Sequence, residues 1–580
     1  MNVSTNLLTQ QLNSLKAPAP EQAKNVPVNK PVITDSSTAS NLISKYLDNQ
    51  AVINSAAIVK TQKVAEPEAV KPYKNDLRTL FNTNSAKILA IIPRTFNAKD
   101  LNGNEYIEAN EEHGTFLNAI DRLDEVRDSG INTLHVLPIN PPGKQNAMGT
   151  AGSLYSPLDM LEIDPMLIDH NDPRSDKEQF KAFVDACHNR GIRVMVDMPS
   201  CASYDLFLAK PELMAKERNG LAKTPQGWND IRMFQPWQDE GKRILNPELL
   251  EYHRKFVDMM IDAGVDGIRA DVARAKPVEF WDIIIPYSHK RDPEFAWLAE
   301  TYTYEDASPQ ANMPYDRPED SLRAGFDAYY GQYHIFHEWS TAKELHDYVI
   351  DNLNMSYRVD PGKSLIGSFA THDDISPMFH GGEVYCNLTS GLQATLPMLN
   401  PYFVDGFQSG DMYSYAYKDK YSTETRTDNH EMTVHQGKLD IFNLSRKPGG
   451  EQPEIGKFMT ECMQFRDKYA NILKRGSYIV LDKKKDKLDN VIAFARHRQG
   501  RTLLVLANKN VNRSVACKVK VPTLGENQKL KNLLPSYGEN SKFQVSQGEI
   551  AVNLGPGRIH VFEIDTPYIE TYSTNVYKQH

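Results

Sequence analysis

The stretch LLEYHRKFVDMMIDAGVDGIRADVARAKP, residues 249–277, contains one complete unit of the fold. Its first part carries apolar residues at helical spacing and ends at Gly264, a residue type that commonly terminates helices. The short run DGIRAD, residues 266–271, follows as a strand and carries Arg269 and Asp271 at its end. A helix, a glycine stop and a strand with charged groups at its end are typical of a parallel β/α protein.

The same alternation of short apolar runs and longer helical patterns extends from about residue 87 to about residue 474. The predicted strands are KILAIIP (87–93), NTLHVLPI (132–139), RVMVD (193–197), DGIRAD (266–271), FAWLAE (295–300), AGFDAY (324–329), SLIGSFA (364–370) and PYFVDGF (401–407). Eight such units predict an α/β protein with a closed (β/α)8 barrel. A doubly wound open sheet is the alternative, but no glycine-rich phosphate loop follows the first strand.

Composition divides the chain into further parts. Residues 1–80 are rich in Pro, Ala, Ser, Asn, Gln and Lys, and bury too little apolar surface to offset the entropy of ordering, so we expect disorder there. The barrel is predicted over residues 81–475, with a short insertion over 203–241 after the third strand. Closely spaced β-rich runs over 476–566 predict a C-terminal antiparallel β-sandwich, and 567–580 are expected to form a tail.

Bulk properties exclude several classes of protein. The formal charge of −9 arises from 66 basic and 75 acidic residues without a long basic block, so a nucleic-acid partner is not expected. No apolar run approaches the ~18 residues of a membrane span, and the N-terminus lacks the pattern of a signal peptide. Five scattered cysteines without a CxxC pair favour a reducing compartment. We therefore expect a cytoplasmic protein that takes a neutral ligand, with no metal, cofactor or membrane partner and with its oligomeric state open.

Charged residues occupy the ends of several predicted strands. Because the carboxyl ends of barrel strands converge on one face, these side chains are expected to share one cup. They are Asp197 after the third strand, Arg269 and Asp271 after the fourth, Glu300 at the end of the fifth, and His372 with Asp373 after the seventh. Burying such groups is costly unless they are paired or used, so the cup is the candidate functional site.

A pair of carboxylates is the requirement of glycoside hydrolysis, in which one attacks the anomeric carbon and the other protonates the leaving oxygen. Retaining enzymes hold the pair ~5–5.5 Å apart, a spacing that neighbouring strands ~4.8 Å apart can provide. Arg269 precedes Asp271 by two residues, points the same way and can keep it ionised. Interpretations without a catalytic role stay open. Asp271 and Arg269 can form a structural ion pair, and His372 and Asp373 can form a capping turn before a helix.

Six segments, taken in order, resemble the α-amylase family of glycoside hydrolases and transglycosidases. The resemblance extends from about residue 87 to residue 565. The segments are GINTLHVLPINPPG (130–143), LYSPLDMLEIDP (154–165), RVMVDMPSCA (193–202), GIRADVARAKP (267–277), WLAET (297–301) and FATHDD (369–374). Each motif is weak alone, but the ordered set at matching strand ends is specific.

The resemblance implies a retaining enzyme that acts on α-1,4-linked glucans or maltooligosaccharides through a covalent glycosyl-enzyme intermediate. It implies Asp271 as nucleophile and Glu300 as general acid/base, with Tyr155 stacking on the sugar. In full, the implied catalytic residues are Asp271, Glu300 and Asp373, and the implied substrate-binding residues are Tyr155, Asp197, Arg269 and His372.

The sequence departs from the family pattern at two places. Cys201 and Ala202 stand where the family usually has Asn-His, which removes a common calcium ligand and a sugar contact, so calcium is not expected. After Asp271, the segment DVARAKPVEFW resembles the Lys-Pro and Phe-Trp pattern of maltosyltransferases that use maltose 1-phosphate. In the insertion, Trp228 and Trp237 are available to stack on sugars, although packing is their commoner role.

Three classes of function remain open at this point. The first is a hydrolase, glucanotransferase or maltosyltransferase that uses the same catalytic residues. The second is a catalytically silent amylase-like protein that binds glucan, which the intact set of Asp271, Glu300 and Asp373 disfavours. The third is an unrelated barrel lyase or isomerase, which would need a metal cluster or phosphate loop that the sequence does not display.

Overall fold

The structure, a computed structural model, describes most of the chain from Tyr73 onwards. The described residues are 73–99, 101, 111–147, 153–225, 230–301, 317–330, 339–359, 363–367, 369, 371–372, 376–411, 453–537 and 541–579. Residues 1–72, Trp228 and Asp373 lie outside them. Folded structure is present before residue 80, the expected end of the N-terminal segment, since Leu77 is fully buried.

Eight parallel strands form a closed barrel, which confirms the predicted (β/α)8 fold. Each strand pairs with the next along the chain, and Ile88 of the first lies opposite Thr133 of the second and Tyr402 of the last. The strands are β1 (Ile88–Ile91), β2 (Thr133–Val136), β3 (Arg193–Met198), β4 (Gly267–Ala270), β5 (Ala296–Glu300), β6 (Ala328–Tyr330), β7 (Ser364–Gly367) and β8 (Leu399–Val404).

Successive residues of the strands face alternately into the barrel and out towards the helices. Met195 of β3 and Leu298 of β5 belong to an inner apolar cluster, whereas Trp297 packs in the outer one. Both faces are buried, which explains why the strands are nearly continuous apolar runs. Asp197 lies two residues after Met195, and Glu300 lies two residues after Leu298. Each therefore takes the last inward-facing position of its strand.

Helices cover the outside of the barrel and begin and end at recognisable signals. Ser175 and Glu178 form a capping box at the start of one helix, and Gly264 follows another with φ of 88°. The helices are α1 (Leu77–Asn82), α2 (Pro93–Phe96), α3 (Phe116–Ala119), α4 (Leu123–Asp128), α5 (Asp176–His188), α6 (Tyr204–Ala209), α7 (Pro247–Asp262), α8 (Val278–Arg291), α9 (Pro318–Ala324), α10 (Ala342–Val359), α11 (Met378–Thr395, interrupted at Gly381 and Gly382), α12 (Pro453–Lys468), α13 (Ala470–Arg475) and α14 (Ile569–Tyr572). Within the described part of the chain, no helix is both long and apolar enough to cross a bilayer.

The insertion after β3 is small. It contains α6 and short antiparallel pairs, one between Cys201–Ala202 and Arg232–Met233 and the other between Trp237–Asp239 and Ile244–Leu245. The Trp237 ring lies under the guanidinium of Arg243, 5.4 Å from ring centroid to carbon, so part of this ring is already in contact with a protein group.

The C-terminal part is the predicted antiparallel sandwich. The strands are β9 (Ser477–Val480), β10 (Lys483–Lys484), β11 (Val491–Arg498), β12 (Arg501–Asn508), β13 (Val515–Lys520), β14 (Lys542–Ser546), β15 (Glu549–Leu554), β16 (Ile559–Ile564) and β17 (Val576–Tyr577). One sheet has the order β16-β12-β11-β9-β17 and the other β10-β13-β15-β14, with a shared apolar core between them. Residues 567–579, expected to form a tail, contribute α14 and β17, and Ile569 is fully buried in that core.

A buried arginine joins the sandwich to the barrel. Arg496 of β11 is fully buried and donates from Nη1 to the carbonyl oxygen of Thr395, at the end of α11, at 2.9 Å. Its Nη2 donates to the carbonyl oxygens of Leu473 and Gly476 at 2.8 and 3.0 Å. One guanidinium therefore satisfies the ends of two barrel helices, whose last carbonyls otherwise need partners.

We predict that Arg496→Met lowers the free energy of unfolding by on the order of 3 kcal/mol, because several buried carbonyls lose their donor at once. Arg501→Met is the matched control, since Arg501 lies in the same sheet but is exposed and pairs with Glu563. Chemical denaturation of both variants checks the prediction, and equal stabilities would contradict it.

Candidate active site

Arg269 lies at the centre of the charged cluster at the mouth of the barrel. Its Nη1 donates to Oδ1 of Asp197 and to Oδ1 of Asp271, both at 2.9 Å. Its Nη2 donates to Oε2 of Glu300 at 2.6 Å. Arg269 and Asp197 are fully buried, while the Asp271 side chain keeps 13 % of its surface exposed. Three carboxylates on three neighbouring strands thus share one guanidinium.

Strand register places these groups together. Asp197 of β3 lies opposite Arg269 of β4, and Ala270 of β4 lies opposite Ala299 of β5. Continuing this register by one residue sets Asp271 beside Glu300. Neighbouring strands lie ~4.8 Å apart, which is compatible with the ~5–5.5 Å between the carboxyl groups of retaining glycosidases.

Aromatic side chains surround the buried Asp197. The Tyr155 hydroxyl donates to Asp197 Oδ2 at 2.8 Å and lies 2.7 Å from His372 Nε2, whose ring stacks against Tyr155 with centroids 5.9 Å apart. His135 of β2 is 3.3 Å from the same carboxylate and is hydrogen-bonded to the Tyr402 hydroxyl at 2.9 Å. Asp197 is thereby held from several sides, and it in turn fixes the positions of Arg269 and Tyr155.

The second oxygen of Asp271 is held by the loop after β3. Both the backbone N–H and the hydroxyl of Ser200 donate to Asp271 Oδ2, at 3.1 and 2.9 Å. With Arg269 on Oδ1, donors bind both carboxylate oxygens of Asp271, so its side chain has little freedom to rotate.

Glu300 receives a backbone donor in addition to Arg269. The N–H of Val272, the residue after Asp271, donates to Glu300 Oε2 at 2.9 Å. Val272 has φ of 33°, a left-handed conformation that is unfavourable for a β-branched residue. Such strain clusters at functional sites, and here it turns the chain so that its amide faces Glu300.

The carboxylates differ in their tendency to ionise. Burial raises the pKa of Asp271 to about 7, and the neighbouring Glu300 and Asp197 add to the rise, while Arg269 opposes it. Burial also acts on Asp197, but Arg269 and His135 outweigh it and lower its pKa to about 2. The site therefore keeps Asp197 ionised and favours a protonated Asp271, contrary to the expectation that Arg269 keeps Asp271 ionised.

The structure brings most of the expected site residues together. Tyr155, Asp197, Arg269, Asp271, Glu300 and His372 are linked by the contacts above, whereas Asp373 lies outside the described residues. Sequence reasoning missed His135, Ser200 and Tyr402. His135 and Tyr402 lie in apolar strands where a polar residue at an inward position is a weak signal, and nothing in the sequence links Ser200 to Asp271.

Cys201, which replaces the Asn expected from the sequence resemblance, is a buried thiol. It is 2 % exposed, and burial raises the pKa of its thiol to about 12, so the thiol stays protonated and is a poor metal ligand. Among the residues that the structure describes, no three His, Cys, Asp or Glu side chains are grouped to hold a metal ion.

Sequence comparison finds relatives that match only part of this chain. An α-1,4-glucan:maltose-1-phosphate maltosyltransferase of Cereibacter sphaeroides is 28% identical over 303 residues, covering 49% of this chain and 42% of the relative. A second maltosyltransferase, of Bifidobacterium animalis, is 24% identical over 424 residues, which cover 68% of this chain and 52% of the relative. A cyclomaltodextrinase of a Bacillus species is 28% identical over 206 residues, which cover 33% of this chain and 34% of the relative. The chain spans about half the length of the maltosyltransferases it matches, and no protein-family model matches it.

Structural comparison extends over most of the chain. A maltogenic α-amylase from Thermotoga neapolitana superposes with a TM-score of 0.62 at 21% identity, covering 84% of this chain and 100% of its own. An α-amylase from Lactobacillus plantarum superposes with a TM-score of 0.60 at 19% identity, covering 83% of this chain and 99% of its own. At this identity the likeness establishes the fold, a (β/α)8 barrel with a C-terminal β-sandwich.

We predict that Asp271→Asn stabilises the fold above about pH 7 and has little effect below about pH 4. The folded-state pKa of Asp271 is raised, so the stability that its protonated form contributes is present below the unfolded pKa of ~3.9 and is lost as the pH rises through about 7. Asparagine removes this loss. Denaturation across this pH range checks the prediction.

The control for this measurement is Glu251→Gln, which removes an exposed carboxylate on α7 outside the buried cluster. An Asp271→Asn variant whose difference from the wild type is the same at low and high pH would contradict the raised pKa.

Proposed function

The chain resembles the α-amylase family in sequence and in fold, and from this relationship we propose that it is a retaining enzyme that acts on α-1,4-linked glucans or maltooligosaccharides. The observation that carries the proposal is the guanidinium of Arg269, which holds Asp271 and Glu300 together at the carboxyl ends of neighbouring strands. A buried cation shared by two carboxylates fits acid/base and nucleophilic roles on one substrate.

In the proposed first step, a carboxylate oxygen of Asp271 attacks the anomeric carbon and the glycosidic bond breaks. Glu300 donates its proton to the departing oxygen, so the leaving sugar departs as a neutral alcohol. In the second step, Glu300 takes a proton from water or from an acceptor hydroxyl, and that oxygen displaces Asp271. Two inversions at one carbon give net retention.

The free site requires a proton shift before the first step. Burial raises the pKa of Asp271, whereas Glu300 accepts bonds from Arg269 and from the Val272 amide. We propose that the proton of Asp271 passes to Glu300 when a sugar binds, because the developing positive charge on the sugar favours an ionised nucleophile.

The surrounding residues are assigned supporting roles. Asp197 has no exposed surface and positions Arg269 and Tyr155, while Tyr155, half-buried and stacked against His372, offers an aromatic face at the mouth of the barrel. His372 is proposed to contact the sugar, and Asp373 to stabilise the transition state. A cytoplasmic location also stays a proposal, supported by five cysteines that are all buried and free.

A maltosyltransferase is the second candidate function. It is favoured by the two maltosyltransferase relatives and by the Lys276-Pro277 pair in the segment that follows the nucleophile. Hydrolysis and transfer share every residue named above, because they differ only in whether water, a sugar hydroxyl or phosphate meets the intermediate.

Product analysis after incubation with a pure maltooligosaccharide, with and without inorganic phosphate, tests the function. Shorter products alone indicate a hydrolase, and longer and shorter products together indicate a glucanotransferase. Maltose 1-phosphate formed only with phosphate indicates a maltosyltransferase. An unchanged substrate would overturn the proposal in favour of a glucan-binding protein.

Asp271→Asn and Glu300→Gln are each expected to lower kcat by several orders of magnitude, roughly 10³-fold or more, without loss of the folded state. Steady-state kinetics with circular dichroism checks this, and Glu251→Gln, an exposed carboxylate on α7, is the matched control. A variant at either position that retains near-wild-type turnover would show that the catalytic pair is misassigned.

A further inference from the structure

One buried cation near the site has no role in the mechanism above. Lys276 follows the short 3-10 turn after β4 and is only 3 % exposed. Its ammonium lies over the rings of Phe234 and Phe280, 5.1 and 5.9 Å from their centroids. An ammonium in such apolar surroundings is costly to desolvate, so its retention needs an electrostatic reason.

The hydrogen bond of Lys276 leads to the nucleophile. Its Nζ donates to the carbonyl oxygen of Ser200 at 3.1 Å, and the N–H and Oγ–H of the same serine donate to Asp271 Oδ2. Ser200 therefore bridges the buried ammonium and the carboxylate that is proposed to attack the sugar. Ser200, in the loop after β3, thus bonds to two residues of the loop after β4.

The remaining bonds of Asp271 show why this bridge matters. Arg269 binds Oδ1 but also binds Asp197 and Glu300, so it fixes only one side of the carboxylate. Without Ser200, the Asp271 side chain could rotate about its last bond towards Glu300. A displacement of ~1 Å of a reacting atom can lower a rate by ~10²-fold.

We propose that Ser200 and Lys276 are positioning residues for the nucleophile. Lys276 fixes the backbone of Ser200, and Ser200 holds the second oxygen of Asp271 in the attacking orientation. This inference rests on the proposed function, since it assigns the two residues to the same catalytic site.

Charged and titratable side chains face both Asp271 and Lys276, the two groups that Ser200 bridges. Asp271 faces Arg269, Asp197 and Glu300, while Lys276 interacts with Asp271, Cys201 and His253. Burial lowers the pKa of Lys276 to about 8, opposed by Cys201 and Asp271. The ammonium is therefore charged at neutral pH and favours an ionised Asp271.

The test uses Ser200→Ala and Lys276→Met in the full chain. Each is expected to lower kcat by roughly 10- to 100-fold with little change in KM, because the bridge acts on the reacting group and not on substrate affinity. Each should also move the acidic limb of the kcat/KM profile to higher pH, since a donor or a cation near Asp271 is lost. The double variant should lose less than the product of the two single effects.

Controls separate positioning from simple stability. Lys276→Arg retains the charge and should recover part of the activity. Lys363→Met removes another buried lysine, which pairs with Asp327 at 3.4 Å before β6 and β7, and it should leave the pH profile unchanged. If Lys276→Met does not fold, Ser200→Ala alone decides the outcome.

A second readout does not depend on turnover. The stability difference between the protein with and without Asp271→Asn stops growing near the pKa of Asp271 in the folded state, and this upper pH limit should rise in the Ser200→Ala background. An unmoved pH profile and an unmoved upper limit would overturn the inference. The proposed function fails separately, if Asp271→Asn itself keeps wild-type turnover.

Discussion

The site depends on one physical constraint, the burial of a single guanidinium among three carboxylates. Arg269 is fully buried and binds Asp197, Asp271 and Glu300 at the same time. Its one positive charge cannot balance three negative charges, so the cluster must retain a proton or be completed by another cation. Burial raises the pKa of Asp271, the neighbouring Glu300 and Asp197 add to the rise, and the buried ammonium of Lys276 interacts with the same carboxylate.

The barrel makes this arrangement possible through strand register and alternation. Inward-facing positions recur every second residue, so Met195 below Asp197 and Leu298 below Glu300 contribute apolar side chains to the inner core, while the last inward position of each of these two strands is a carboxylate. The packed interior gives the cluster a rigid, dry floor. Arg496 then ties the outer helices to the C-terminal sandwich through their carbonyl ends, so the scaffold around the site is held as one unit.

Much of the fold could be predicted because the local sequence patterns and the burial of the same residues indicate the same strands and helices. Apolar strand runs and glycine stops such as Gly264 locate the eight strands, and the charged strand ends locate Arg269 and Glu300. The contacts of Ser200 could not be predicted, since they join two loops whose approach depends on strand register and on the left-handed turn at Val272. The ordered segment 567–579 was also missed, because a strand of two residues has no readable periodicity.

The most direct test of a retaining mechanism is mass spectrometry of Glu300→Gln after incubation with α-maltosyl fluoride. Fluoride departs without a proton donor, so Asp271 can still be glycosylated, while glutamine cannot activate water to release the sugar. We expect a mass increase of one maltosyl unit on the peptide that contains Asp271, and no such increase when Asp271→Asn is added. Turnover of the fluoride without an adduct, or an adduct on another residue, would contradict it.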